Sequence, residues 1–195
     1  MAPLHDSHLS ARRRDSLGED ERRQPGWITL VAEERTSVGG VAEDQKVSQV
    51  WQTPSLDEIP AISRAHVQAL ESSNDDAVWI LLGLPLIVLR TIGRVSGKEH
   101  KVALPVWRDA DGVRVVVASY AGAPNHPAWY LNLTDRSANP AVLIRTQTGQ
   151  YWSVADPIEG DDYARIWAQV TADRAWYQDY QTKTSRRIPL VRLPE

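Results

Sequence analysis

Cysteine is absent from the 195-residue sequence, which excludes disulfides, thiolate nucleophiles and thiolate-held metals. Phenylalanine is absent too, so the 8 Trp and 6 Tyr supply the hydrophobic rings and each offers a polar handle. Such rings suit half-buried pocket walls; compositional bias would give the same count. Charge of one sign is not in excess, and a net charge of −3 argues against a dedicated nucleic-acid binder. No apolar run approaches the roughly 20 residues that span a bilayer. The longest, over 77–89, is interrupted by Gly83 and Pro85. The first 23 residues are polar, include Arg12, Arg13, Arg14, Arg22 and Arg23, and lack an apolar signal core. These features predict a soluble, unexported, cytoplasmic protein, with peripheral membrane contact left open. The histidines are isolated, with no His-x-x-x-His pair, so no metal is expected. Ser119 and His126 do not make a hydrolase triad, because no Gly-x-Ser-x-Gly elbow exists.

The chain changes character near residue 60. Acidic residues outnumber basic ones over 1–60, and no period of 2 or 3.6 persists there. This part reads as a disordered or loosely packed extension. Residues 59–72 then space Ile62, Ala65, His66, Ala69 and Leu70 as an amphipathic helix, with Pro60 near its start. Beyond residue 84 the pattern turns to β. Strands are expected at 86–91, 100–108, 113–119, 141–146, 151–155 and 188–193. Pro105 suggests an edge or a bulge. Short helices are expected around 128–133 and over 161–171. Five or six short strands joined by hairpins imply a small antiparallel barrel with a few helices, occupying 61–195. The absence of βαβ alternation argues against a doubly wound sheet.

Four segments carry candidate chemistry. In Gly93-Arg94-Val95-Ser96-Gly97-Lys98, two glycines admit close backbone approach while Ser96, Arg94 and Lys98 supply donors and positive charge. The combination suits a phosphate; a solvated glycine-rich hairpin would look the same. It is not a Walker loop, because the spacing is wrong and Glu99 follows the lysine. Ala118-Ser119-Tyr120-Ala121-Gly122-Ala123-Pro124 leaves a buried strand through small residues, as ligand loops and plain connections both do. In residues 125–133, Asn125 and Pro127 start a short helix that places Trp129 and Leu133 on one face and Asn132 toward a ligand. In residues 176–181, Tyr177 and Tyr180 stand i, i+3, with both hydroxyls on one side of a turn.

These segments, in this order, together with Ala138-Asn139-Pro140 and Arg186-Arg187-Ile188-Pro189, resemble the deazaflavin-dependent nitroreductase family, whose members use coenzyme F420. The resemblance covers about 70–195. It implies a mainly β fold with short helices (α+β), a split β-barrel of the FMN-binding-split-barrel type. The implied cofactor is coenzyme F420, an 8-hydroxy-5-deazaflavin. The implied activity is hydride transfer from the reduced coenzyme to a quinone, nitroaromatic or enone. By position, Arg94, Val95, Ser96, Gly97 and Lys98, with His100 and Lys101, hold the coenzyme's phosphate and side chain. Leu89, Arg90 and Thr91 lie along the ring or its chain. Ala118, Ser119, Tyr120, Ala121 and Gly122 contact the ring, and Trp129, Tyr130 and Asn132 close the site. Ser119 and Tyr177 hydrogen-bond the acceptor oxygen, with Tyr180 behind. The chain departs from the family in having His100 in place of an arginine, Val102-Ala103 in place of Thr-Pro, a proline shifted to Pro105, and Arg174 where some relatives carry tyrosine. Two rival readings are an FMN- or haem-type split barrel and a non-catalytic deazaflavin carrier. The chain is expected as a monomer or homodimer.

Overall fold

The structure, a computed structural model, describes residues 45–195. Within them, side-chain alternation decides the layers. In β2 (Leu84–Ile92), Ile87 and Leu89 face one way and Leu86 and Val88 the other, and all four are buried. A strand buried on both faces must be covered twice. β2 lies between β3 (Glu99–Pro105) and β6 (Val142–Arg145) in an antiparallel sheet that also holds β1 (Ile80–Leu81) and the edge strand β7 (Gln150–Ser153). The Leu82-Gly83 turn joining β1 to β2 has positive φ at both residues, as a tight hairpin requires.

The outer face of this sheet is covered by α1 (Ile59–Ser72) and α2 (Asp76–Trp79) through Val67, Leu70 and Trp79. Asp75 caps α2 by accepting from the Ala77 N–H at 3.0 Å. The inner face meets a second antiparallel sheet, in the order β4 (Trp107–Arg108), β5 (Arg114–Val117), β9 (Leu190–Leu193) and β8 (Asp156–Pro157). Val116 and Val191 point into the inter-sheet core, while Val115, Val117 and Leu190 point outward onto α4 (Gly160–Asp173) and α5 (Trp176–Thr182). The order is therefore helix, sheet, sheet, helix. Each fully buried aliphatic side chain contributes roughly 1.5–3 kcal/mol.

One expectation needs correction, and another is met in its coarser form. The strand read over 100–108 is two strands in different sheets. Pro105 has no N–H to offer the ladder, Val106 donates to the Pro85 carbonyl at 2.9 Å, and the chain then crosses to the second sheet. The barrel is realised as two open antiparallel sheets facing one another across a shared core.

The extension read over 1–60 lies outside the described residues as far as residue 44. From residue 45 the chain runs against the second sheet and its helices. Gln45 bonds the backbone of Arg108, Val47 N–H donates to the Asp173 carbonyl at 3.0 Å, and Trp51 meets Trp176 edge-on with ring centroids 5.0 Å apart.

Candidate functional site

A helix of seven residues, α3 (Ala128–Thr134), ties two loops together. At about 1.5 Å per residue it is roughly 10 Å long. Its C-terminal half meets the turn after β2, and its N-terminal end meets the loop after β5.

The first end is the turn over residues 93–98. Gly97 N–H donates to the Gly93 carbonyl at 2.7 Å, and Gly93 N–H donates to the Lys98 carbonyl at 2.8 Å. Ser96 Oγ and His100 Nε2 lie 3.1 Å apart over Gly93, where a β-carbon would come within 2.4 Å of Ser96 Oγ. A side chain beneath that pair would have to displace the exposed Ser96 and His100 side chains. Below the turn is a buried amide cluster. Asn132 Nδ2 donates to Thr91 Oγ1 at 3.3 Å, and Asn132 Oδ1 accepts from the Arg94 backbone N–H at 3.3 Å and from its guanidinium at 3.4 Å. Asn139 Oδ1 accepts from the Ile92 N–H at 2.7 Å while its Nδ2 donates to the Ile92 carbonyl at 2.8 Å. The Asn139 amide thus serves the Ile92 peptide as a neighbouring strand would.

Charge divides the cations here into two sets. Arg90 and Lys101 sit opposite one another in the β2–β3 register, one pleat away from Thr91 and His100. Arg90 pairs with Glu99, and Lys101 pairs with Glu71 at 2.6 Å and Glu99 at 3.7 Å. The Arg90 hydrogen bond is the main cause that lowers the Glu99 carboxyl below its usual range. Arg94 and Lys98 make no ion pair among the described residues. Val95, at the tip, is 89% exposed.

The second end is the loop after β5. Tyr120, Ala121 and Gly122 have φ of 47°, 52° and 83°. For the two non-glycine residues this conformation costs on the order of 1–3 kcal/mol each, so the surroundings must enforce it. Arg186 does much of this. Its guanidinium donates to the carbonyls of Ala123 (2.9 Å), Ala118 (3.2 Å) and Ser119 (2.7 Å), and one nitrogen lies 3.3 Å from His126 Nδ1. Burial, reinforced by the Arg186 charge, lowers the His126 pKa. Gly122 presses on α5: a β-carbon there would stand 2.5 Å from the Tyr180 carbonyl oxygen. The Ser119 hydroxyl has no hydrogen-bond partner among the described residues.

The structure therefore brings Thr91, Arg94, Ser96, Gly97, Lys98, His100 and Asn132 to one end of α3. It brings Ser119, Tyr120, Ala121, Gly122, Tyr177 and Tyr180 to the other. Leu89, Ala118 and Trp129 lie in the inter-sheet core, and Tyr130 is half-buried with its ring centroid 5.1 Å from that of His126. Arg90 and Lys101 stand apart, on the opposite face of the sheet. Tyr177 is 4% exposed, its hydroxyl against the Arg174 guanidinium, and burial raises its pKa. Tyr180, 7% exposed, meets the Tyr177 ring at 6.1 Å and shares a 3.0 Å hydrogen bond with Thr53.

Sequence reasoning passed over Arg186, Asn139 and Thr53 as site residues, and singled out Arg174 only as a departure from the family. The first two lay inside quoted motifs without a role. Thr53 gave no signal at all, because its partner is 127 residues away. Several aromatic handles have structural partners: Trp107 Nε1 donates to Asp173, Tyr163 to the Ile188 carbonyl and Tyr151 to the Leu193 carbonyl.

Among the described residues no cluster of His, Asp or Glu has a metal-holding arrangement, and no helix is long and apolar enough to cross a membrane. A family model described as F420H(2)-dependent quinone reductase matches residues 62–195. An F420H(2)-dependent quinone reductase of Mycobacterium tuberculosis (strain ATCC 25618 / H37Rv) is 38% identical over 112 residues, spanning 56% of this chain and 72% of that protein. A solved structure described as an F420-H2 dependent reductase is 33% identical and covers 56% of this chain and 93% of its own, with a TM-score of 0.47. Another, described as a domain-swapped dimer, is 29% identical and covers 67% and 95%, with a TM-score of 0.49.

Proposed function

The chain belongs to the F420H(2)-dependent quinone reductase family, and from that premise we propose that it binds coenzyme F420 along α3 and reduces a quinone. The single observation that carries the placement is the contrast between cations. Arg94 and Lys98 stand on a glycine-shaped turn and make no ion pair among the described residues, with the Asp135 carboxyl feeling the Arg94 charge only at longer range, whereas Arg90 and Lys101 are neutralised by Glu99 and Glu71. A cation outside any ion pair is the one available to an anionic ligand. The donor set at the turn therefore fits the coenzyme's anionic arm, which Arg94, Lys98 and the Ser96–His100 pair would hold. Nitroaromatics and enones are further acceptors of the same electronic kind, and a split barrel is the finer description of the two-sheet scaffold.

When bound, the deazaflavin supplies a hydride, since carbon in place of the flavin N5 favours two-electron transfer. The chain's own contribution is position and polarity. Arg186 fixes the Ser119–Ala123 backbone, so the free Ser119 hydroxyl projects from an ordered loop. A donor held there stabilises oxygen as negative charge develops, an effect worth on the order of 3 kcal/mol. Tyr177 is too buried here to meet an acceptor directly; it belongs to the core cluster on which Ala121 packs.

Titration of the purified chain with reduced coenzyme, followed by fluorescence and then by menadione turnover, tests this reading. Saturable binding with turnover is expected. Binding without turnover would favour a carrier. No binding would refute the proposal.

A further inference from the structure

A cleft of about 390 Å³ lies between residues 53–56 and the strained loop, within the roughly 300–1,000 Å³ range of small-ligand sites. Pro54 and Leu56 line one side, Ala121 and Pro124 the other, with Thr53 and Lys183 adding polar groups. A larger groove of about 670 Å³ lies between α1 and β3, but its lining carries the already paired Glu71 and Lys101. The smaller cleft offers what the larger one lacks: walls free of ion-paired side chains, and a polar group with a proton to give.

The hydrogen-bond inventory at Thr53 shows why. Gln49 Nε2 lies 3.0 Å from the Trp51 carbonyl, which only accepts, so that end of the amide is the NH2 group. The same nitrogen donates to Thr53 Oγ1 at 3.2 Å. Tyr180 Oη lies 3.0 Å from Thr53 Oγ1, where either hydroxyl could donate; we take Tyr180 as the donor, because it is 7% exposed and its proton needs a partner. A threonine hydroxyl has two acceptor positions and one proton. With Gln49 and Tyr180 filling the former, the Thr53 proton is left to point into the cleft that Thr53 lines.

We propose that residues 49–56, which precede the family-matched region, form a strap that completes the acceptor site, with Thr53 donating a hydrogen bond to a carbonyl oxygen of a flat quinone. The proposal rests on the quinone-reductase reading above. The ring sits between Pro54 and Leu56 on one side and Ala121 and Pro124 on the other. Gln49 and Tyr180 are positioning residues, acting through the direction they impose on the Thr53 hydroxyl.

The test uses the full chain, reduced coenzyme F420 and menadione, with coenzyme affinity read separately by fluorescence. Thr53→Val should raise KM for menadione roughly fivefold and leave coenzyme affinity within about twofold. Thr53→Ser should restore KM, which a merely structural role for the threonine methyl would not allow. Tyr180→Phe should raise KM by a smaller factor, because Thr53 keeps its proton but loses one constraint on its direction. Leu56→Glu, at a 41% exposed position, places a carboxylate on the wall and should raise KM even if Thr53→Val fails to fold. Unchanged KM in Leu56→Glu and Thr53→Val, with coenzyme bound and turning over, overturns the strap and leaves the quinone-reductase reading standing. An unmodified chain that does not bind coenzyme overturns that reading instead.

Discussion

The two ends of α3 are built on opposite physical terms. At the Gly93–Lys98 turn, positive φ falls on Gly97, the charged side chains are exposed, and nothing lies within 4 Å of a β-carbon placed at Gly97. At the Ser119–Ala123 loop, positive φ falls on Tyr120 and Ala121 as well as on glycine, and a half-buried guanidinium holds three carbonyls. The first end is suited to gripping a charged ligand from water. The second keeps its shape before any ligand arrives. A strained segment belongs where geometry matters most to chemistry, and a relaxed one where charge alone suffices.

Two glycines give the sharpest way to break this contrast. Gly122→Ala sets a β-carbon against the Tyr180 carbonyl and should destabilise the chain by about 3 kcal/mol or more in chemical denaturation. Gly97→Ala meets no atoms and suffers only its backbone conformation, about 1 kcal/mol. Equal losses would mean that the two loops do not differ in rigidity.

The cations sharpen the comparison at its charged end. Replacing Arg94 and Lys98 together with alanine should weaken coenzyme binding about a hundredfold at low salt. Replacing Arg90 and Lys101 together should change it less than about threefold, since exposed pairs of that kind contribute little. Isothermal titration of both double variants decides; a reversed order would move the anionic arm to the other face of the sheet.

The smallest effect concerns His126. Its folded pKa lies below the ordinary 6.5, first from burial and then from Arg186. The folded chain thus binds fewer protons than the unfolded chain. The stability it contributes is full above pH 6.5 and is lost as pH falls from there through the folded value. Denaturation midpoints should decline over that interval, and His126→Asn should flatten the decline. A slope untouched by the substitution would show that the Arg186 clamp does not depend on a neutral imidazole.

How far the sequence was readable follows from the range of each interaction. α1 occupies the expected 59–72, because its signals, Pro60 and the apolar spacing, are local. The glycines of both loops were legible as loop residues, since backbone freedom is written in the residue itself. The break at Pro105 was visible only as an edge or a bulge: whether a strand bends or changes sheets depends on partners far along the chain. Arg90 and Arg94 look alike in sequence, and only the pleat and Glu99 separate them. Asn139 stood out only as part of a motif, with no role, because its partner, the Ile92 peptide, lies 47 residues away.

The edge-on contact of Trp51 with Trp176 bears on where this protein can be cut. Removing everything ahead of the family-matched region would strip Trp176 of that neighbour and leave the Tyr180 hydroxyl facing water instead of Thr53. The exposed indole would join Tyr177 and Tyr180 in a sticky aromatic surface. A truncated version made for convenience would report on solubility as much as on catalysis, so the practical boundary of the working unit falls before Gln45, not at residue 62.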